Sequence, residues 1–423
     1  MTTNSPSLAR KLGLGDAVVI GLGSMIGAGI FASFAPASAA AGAGLLIGLA
    51  IAAVVACCNA LSSSQLAAQY PTSGGTYVFG RERLGEWPGF LAGWGFIIGK
   101  TASCAAMALV FAAYAAPAGW TKPVAVAAIV IIAGVNYFGV TRTVGLTRVI
   151  VVFVLLVLSI VIIAGLTATG SHNADPGAGL FDDGWYAILQ SGGLLFFAFA
   201  GYARIATMGE EVKNPSRNIP RAILLSLGLA LGVYILIAVT TLLVLGPQQL
   251  ATSTAPLVDV VTASSWSWTS PVVRIGAAAA ALGALLALVA GVGRTTLAMA
   301  RNKDLPAWLA AVHPVHKVPH HAEIALAAVV ILLVLTVDLR GAIGFSSFGV
   351  LLYYVIANLS ALTQDREHRR YPRLVPIIGT FGCLILVLTL PPLSIGVGVG
   401  VFLVGIIGRM VVRSGPFPRT KLN

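Results

Sequence analysis

Apolar residues fill twelve long stretches of this chain, separated by short polar connectors. They cover about 16–39, 42–67, 87–116, 122–138, 145–168, 185–212, 218–245, 271–300, 322–338, 341–363, 374–391 and 394–412. A helix that crosses a bilayer needs ~20 consecutive apolar residues. Lipid offers no partner to irregular backbone, so each run is predicted to be a spanning helix. The connectors leave no room for a large hydrophilic domain. The chain therefore reads as one polytopic unit over residues 1–423.

Composition narrows the class. Of 423 residues, 57% are hydrophobic and 9% charged, and the mean hydropathy is +0.92. Soluble domains carry ~25% charged residues, so an ordinary soluble enzyme is excluded. The net charge of +12 would suggest nucleic acid in a soluble protein. Here it reads as topology, because basic residues collect in cytoplasmic loops. Twenty of the 26 Lys and Arg residues lie on the side that holds both termini. Both termini are thus predicted cytoplasmic, in the cytoplasmic membrane. Cys57, Cys58, Cys104 and Cys383 sit inside apolar runs, which argues against a disulfide framework. The first run lacks an obvious cleavage motif and reads as a retained helix.

Runs one and six share an interruption by glycine and small residues. Run one contains Gly21, Gly23, Gly27 and Gly29, and each glycine weakens a helix by ~1 kcal/mol relative to alanine. Unwinding near Ile26, Gly27, Ala28 and Gly29 would start a second half-helix, whose free N–H groups suit a carboxylate. The same glycines also suit tight helix packing. Run six reads Phe196-Phe197-Ala198-Phe199-Ala200-Gly201-Tyr202. A break near Ala200 would leave carbonyls and a negative dipole end, which suit an ammonium. Interrupted helices at matching places in two halves point to a transporter site. Phe197 or Phe199 would cover the ligand as a gate, or simply pack.

These stretches resemble the amino acid–polyamine–organocation superfamily. The resemblance runs through Gly23 to Phe31, Pro71 to Leu84-Gly85, Phe196 to Pro220 with its Gly-Glu-Glu-Val-Lys-Asn-Pro segment, and Ala298 to Pro306. It implies an all-α LeuT-type fold with twelve transmembrane helices, residues 16–168 being inverted against 185–363. Residues 374–412 add two further helices, and helices one and six are broken. It also implies alternating access for amino acids or related amines, with proton coupling or exchange. By motif, backbone at Ile26, Gly27, Ala28 and Gly29 would hold the carboxylate. Backbone at Phe197, Ala198 and Ala200 would hold the amine, with Phe197 as gate. Some relatives have an acid where this chain has Ala203, and others a lysine in helix five, which this chain lacks.

Ionisable groups at membrane depth are functional candidates. Lys100 lies deep in run three, too far from either interface for easy snorkelling. It is the candidate for reading the substrate side chain and for proton coupling; pairing with local hydroxyls is the structural alternative. Arg204 follows the helix-six break and is a candidate for substrate contact or capping. Thr295 and Thr296 in run eight are candidates for an ion site. His313, His316, His320 and His321 read as a solvated loop rather than a metal site, and no cofactor is implied. A membrane enzyme, a channel and a non-transporting sensor are the competing classes. An enzyme would need convergent acids, bases or metal ligands at depth, and a channel a continuous polar path. Polyamines or ethanolamine-like amines are the alternative substrates. Oligomeric state is not legible.

Overall fold

The computed structural model describes residues 12–27, 29–71, 74–139, 144–168, 178–206, 208 and 211–414. Ala28, one of the carboxylate-site candidates, lies outside the described residues. The described residues form helices and connecting turns, with one isolated β-bridge between Leu12 and Val212.

The first run is three helices in series: α1 (Leu14–Ile26), α2 (Gly29–Ala32) and α3 (Phe34–Ala41). Then come α4 (Leu45–Gln69), a short connector helix α5 (Thr76–Leu84), α6 (Glu86–Ala115), α7 (Thr121–Tyr137) and α8 (Val144–Leu166). The second half holds α9 (Gly184–Phe199), α10 (Ala203–Ala206), α11 (Pro215–Thr252), the short α12 (Pro256–Thr262) and α13 (Ser270–Arg301). It closes with α14 (His320–Thr336), α15 (Leu339–Leu362), α16 (Leu374–Thr389) and α17 (Pro392–Ser414).

Among the described residues, nine helical segments are long and apolar enough to cross a membrane. The apolar α7, α14 and α16 are shorter, with 17, 17 and 16 residues. The helices coincide with the apolar runs to within a few residues. Two ends differ by more: run six extends to 212 but α10 ends at Ala206, and α11 continues past its run at 245 through Gly246, whose φ is 68°. Glycine adopts that conformation at little cost, and the following Pro247 lacks an N–H. The element is therefore two helices meeting at a kink.

Large apolar side chains cover the outside. Leu393 is 77% exposed, Leu388 68% and Val149 66%. Soluble monomers rarely leave such broad apolar surface open, whereas lipid solvates it. The interior is built largely of small residues. On α6 the stretch Ala102 to Ala108 is buried throughout, which allows close helix approach. α6 packs against both α13 and α15, α1 against α11 and α8, and α4 against α9.

Candidate functional site

The two interrupted helices cross at their interruptions. α1 ends at Ile26 and α2 begins at Gly29. Ser33 N–H then bonds Gly29 O at 2.9 Å and Ala37 N–H bonds Ser33 O at 3.1 Å. Helical bonding thus continues past Ser33, and α2 with α3 acts as one half-helix. On the other side α9 ends at Phe199, tightens into a 3-10 turn over Ala200–Tyr202 and continues as α10.

A Cβ built on Gly29 would fall 2.2 Å from the Ala198 Cα, and one on Gly201 would fall 2.4 Å from the Ser24 carbonyl carbon. Only glycine permits either approach. Gly27 is bounded from a third direction, since its Cβ would lie 3.0 Å from Ala284 Cβ and 3.1 Å from Ala280 O of α13. The break in the first helix is thus enclosed by α9 and α13.

Among the described residues, the side chains of Tyr234 and Lys100 reach carbonyls of this crossing. The Tyr234 hydroxyl, on α11, lies 2.8 Å from Met25 O and 2.9 Å from Ala198 O. It carries one proton and so donates to one carbonyl at a time. Lys100 Nζ donates to Ala200 O at 3.1 Å. Lys100 is 6% exposed, and no carboxylate lies within ion-pair distance of it among the described residues. Beside it, Ser103 Oγ and Ser346 Oγ are 2.7 Å apart and fasten α6 to α15.

Ile26, Gly27, Gly29, Ala198, Ala200 and Lys100 are therefore brought together. Phe197 is buried in the same crossing with 7% exposure, whereas Phe199 is fully buried with its ring edge-on to Tyr234 at 5.1 Å. Phe199 packs between α9 and α11. Arg204 sits on α10, half-buried.

Thr295 and Thr296 are not at the crossing. The part of α13 beside Gly27 is Ala280 and Ala284, and Thr295 lies eleven residues further on, ~17 Å at 1.5 Å per residue. Thr295 Oγ1 donates back to Gly291 O at 3.1 Å. Thr296 faces a cavity of about 510 Å³, apolar in lining, between α6, α13, α14, α15 and α17. The histidine loop brings His313 and His316 together with rings 4.7 Å apart. No group of three metal-ligating side chains occurs among the described residues.

Sequence reasoning missed Tyr234, an apolar-run tyrosine without local signal. It also read Arg409 only as a topology marker. The Arg409 side chain is fully buried and its Nε donates to Asp304 Oδ1 at 2.8 Å. Its guanidinium lies 4.3 Å from the Trp87 ring centre and 4.8 Å from that of Phe90. Asp304 also receives Tyr77 Oη at 2.8 Å and Arg81 Nη1 at 3.0 Å. Burial, then the Asp304 carboxylate, pushes the Tyr77 phenol up to about 12, so it stays a donor. This cluster joins α5, α6, α17 and the connector after α13.

Residues 12–411 match the amino acid permease family. An uncharacterized transporter of Mycobacterium tuberculosis is 59% identical over 402 residues, covering 94% of this chain and 90% of that protein. The branched-chain amino acid permease BcaP of Bacillus subtilis is 26% identical, with 92% of this chain and 90% of that protein covered. Cationic amino acid transporter 4 of Homo sapiens is 28% identical over 85% of this chain and 60% of its own length. The family and these relatives are transporters rather than enzymes. A match over nearly the whole length, on a bundle of apolar helices, places this chain in the amino acid permease family of the amino acid–polyamine–organocation superfamily.

Proposed function

We propose that the chain is a secondary transporter that moves amino acids across the cytoplasmic membrane by alternating access, with proton coupling or exchange. It would do so on twelve spans arranged as a LeuT-type five-plus-five inverted repeat with two added helices and both termini cytoplasmic. The helix contacts support the repeat. Exchanging each span with the one five places on turns the pair α1 and α11 into α9 and α4, and α1 and α8 into α9 and α15; all four pairings occur.

The observation that carries the proposal is the contact of Gly29 with Ala198. It sets a half-helix N-terminus, suited to a carboxylate, against half-helix carbonyls suited to an ammonium. In this reading backbone at Ile26, Gly27, Ala28 and Gly29 takes the carboxylate. Backbone at Phe197, Ala198 and Ala200 takes the amine, and the Phe197 ring is the gate. Lys100 couples transport to protons and disfavours cationic side chains. The names of the relatives, which include permeases for branched-chain and cationic amino acids, support an amino acid substrate.

Counterflow in proteoliposomes tests this. Radiolabelled amino acid should accumulate against preloaded unlabelled amino acid and saturate. Amino acids should bind more tightly than their decarboxylated amines. Equal binding of amines such as putrescine or ethanolamine would move the amine-transporter reading ahead, and non-saturating flux would sink the carrier reading altogether.

A further inference from the structure

We infer that Lys100 supplies a resident ammonium that stands in for the substrate's own. Its Nζ donates to Ala200 O, one of the carbonyls assigned above to the substrate amine; that oxygen has a second lone pair, but a second ammonium there would face the Lys100 charge. The inference rests on that assignment of the amine site and adds what happens there when no substrate is bound.

The physical argument starts from desolvation. A buried carbonyl at the end of a half-helix is costly to leave without a donor, and a buried ammonium is costly without an acceptor. Lys100 Nζ supplies a donor to Ala200 O, and Ala200 O an acceptor to Lys100, from positions 100 residues apart in sequence. A second ammonium at the same oxygen would meet the first at ~4 Å, where like charges repel strongly in a water-poor site. An incoming amine must therefore expel Lys100. The Ser103–Ser346 bond holds this part of α6 against α15, so the mobile part is the lysine's four-carbon stem rather than the helix.

Two consequences follow. Competition with Lys100 weakens every ligand that carries an α-ammonium, but not the matching acid that lacks one. When the amino acid leaves, Lys100 refills the carbonyl, and the empty site regains an ammonium at Ala200 O. The empty carrier can then close and return. Without the lysine, return needs a second substrate, and the protein becomes an exchanger.

The test compares the full-length protein with Lys100→Met, which keeps the stem length and removes the donor. The probes are the amino acid that gives the strongest wild-type counterflow and its des-amino acid, for example L-leucine with 4-methylpentanoate. A charge-assisted hydrogen bond sets the scale. Amino acid binding should tighten about ten- to a hundredfold in Lys100→Met, while des-amino acid binding changes less than about threefold. Net uptake should fall at least about tenfold while exchange persists, and n-propylammonium should restore net uptake to Lys100→Ala. Lys100→Arg, which keeps a cation, should hold the wild-type ratio of the two affinities. Where the methionine variant does not insert, Lys100→Leu, which also lacks a donor, carries the same comparison.

An unchanged affinity ratio, equal weakening of both probes, or full net uptake without Lys100 overturns the inference while leaving wild-type counterflow, and so the transporter reading, in place. Absence of amino acid counterflow in the wild-type protein removes both.

Discussion

Gly29 and Ala198 touch so closely that a single added methyl on Gly29 would sit 2.2 Å from both the Cα and the Cβ of Ala198. The obstacle is largely backbone, so no rotamer change can relieve it. One glycine position thus couples the geometry of the first interrupted helix to that of the second.

Gly29→Ala and Gly27→Val should therefore insert into the membrane but bind no substrate. At Gly27 the added carbon meets Gly23 O at 2.6 Å and Ala284 Cβ at 3.0 Å. Overpacking of this kind costs about 1–3 kcal/mol, enough to part the helices without unfolding the bundle. Gly228→Ala is the control, since its Cβ would have no neighbour within 4 Å. It should keep wild-type binding and melt no lower, given the better helix propensity of alanine. Ligand-induced shifts in melting temperature measure both.

Tyr234→Phe removes the hydroxyl that serves Met25 O and Ala198 O. The expected loss is about 1–3 kcal/mol, the cost of leaving a buried carbonyl without a donor. Because both carbonyls belong to interrupted helices, amino acid affinity should fall together with melting temperature. A variant that loses stability but keeps full affinity would show the hydroxyl to be a packing device only.

Asp304→Asn should be among the most damaging single changes away from the crossing. It removes the hydrogen-bonded charge partner of the fully buried Arg409 side chain and leaves it the Glu86 carboxylate at 3.8 Å, for a loss of about 3 kcal/mol. The double variant Asp304→Asn with Arg409→Met removes the stranded charge and should recover much of that loss. Thermal unfolding of the three variants in one detergent decides it.

His313 gives the connector between α13 and α14 a pH response. Its Nδ1 accepts N–H groups of Val315 and His316 at 3.2 and 3.1 Å. Partial burial, followed by the neighbouring His316 and His320, holds its pKa below the ordinary histidine value. As pH falls through about 6.5 the unfolded chain takes up the proton first. The stabilising contribution is complete above that pH and is lost as pH falls through the lower folded-state value. His313→Asn, which keeps an acceptor near Nδ1 but does not titrate, should melt with a flatter dependence between about pH 7 and pH 5 than the wild-type protein.

Most of the helices were legible in the pattern of apolar residues. The run at 87–116 is α6, Glu86–Ala115, and the run at 271–300 is α13, Ser270–Arg301. Lipid makes this local, because it demands both apolar side chains and internally satisfied backbone over the same stretch. The interruptions at Gly27 and Ala200 were equally local, since glycine clusters and small residues weaken helices wherever they pack. What the pattern could not hold is the register of one helix against another. It carried no signal that Ala280 and Ala284, rather than Thr295 and Thr296, lie beside Gly27. It did not reveal that Lys100 meets Ala200, that Tyr234 caps two carbonyls, or that Arg409 is buried on Asp304. Each of these pairings joins residues far apart in the chain. Only the crossing of packed helices decides which donor reaches which acceptor, because an apolar run is compatible with many rotations and slides against its neighbours.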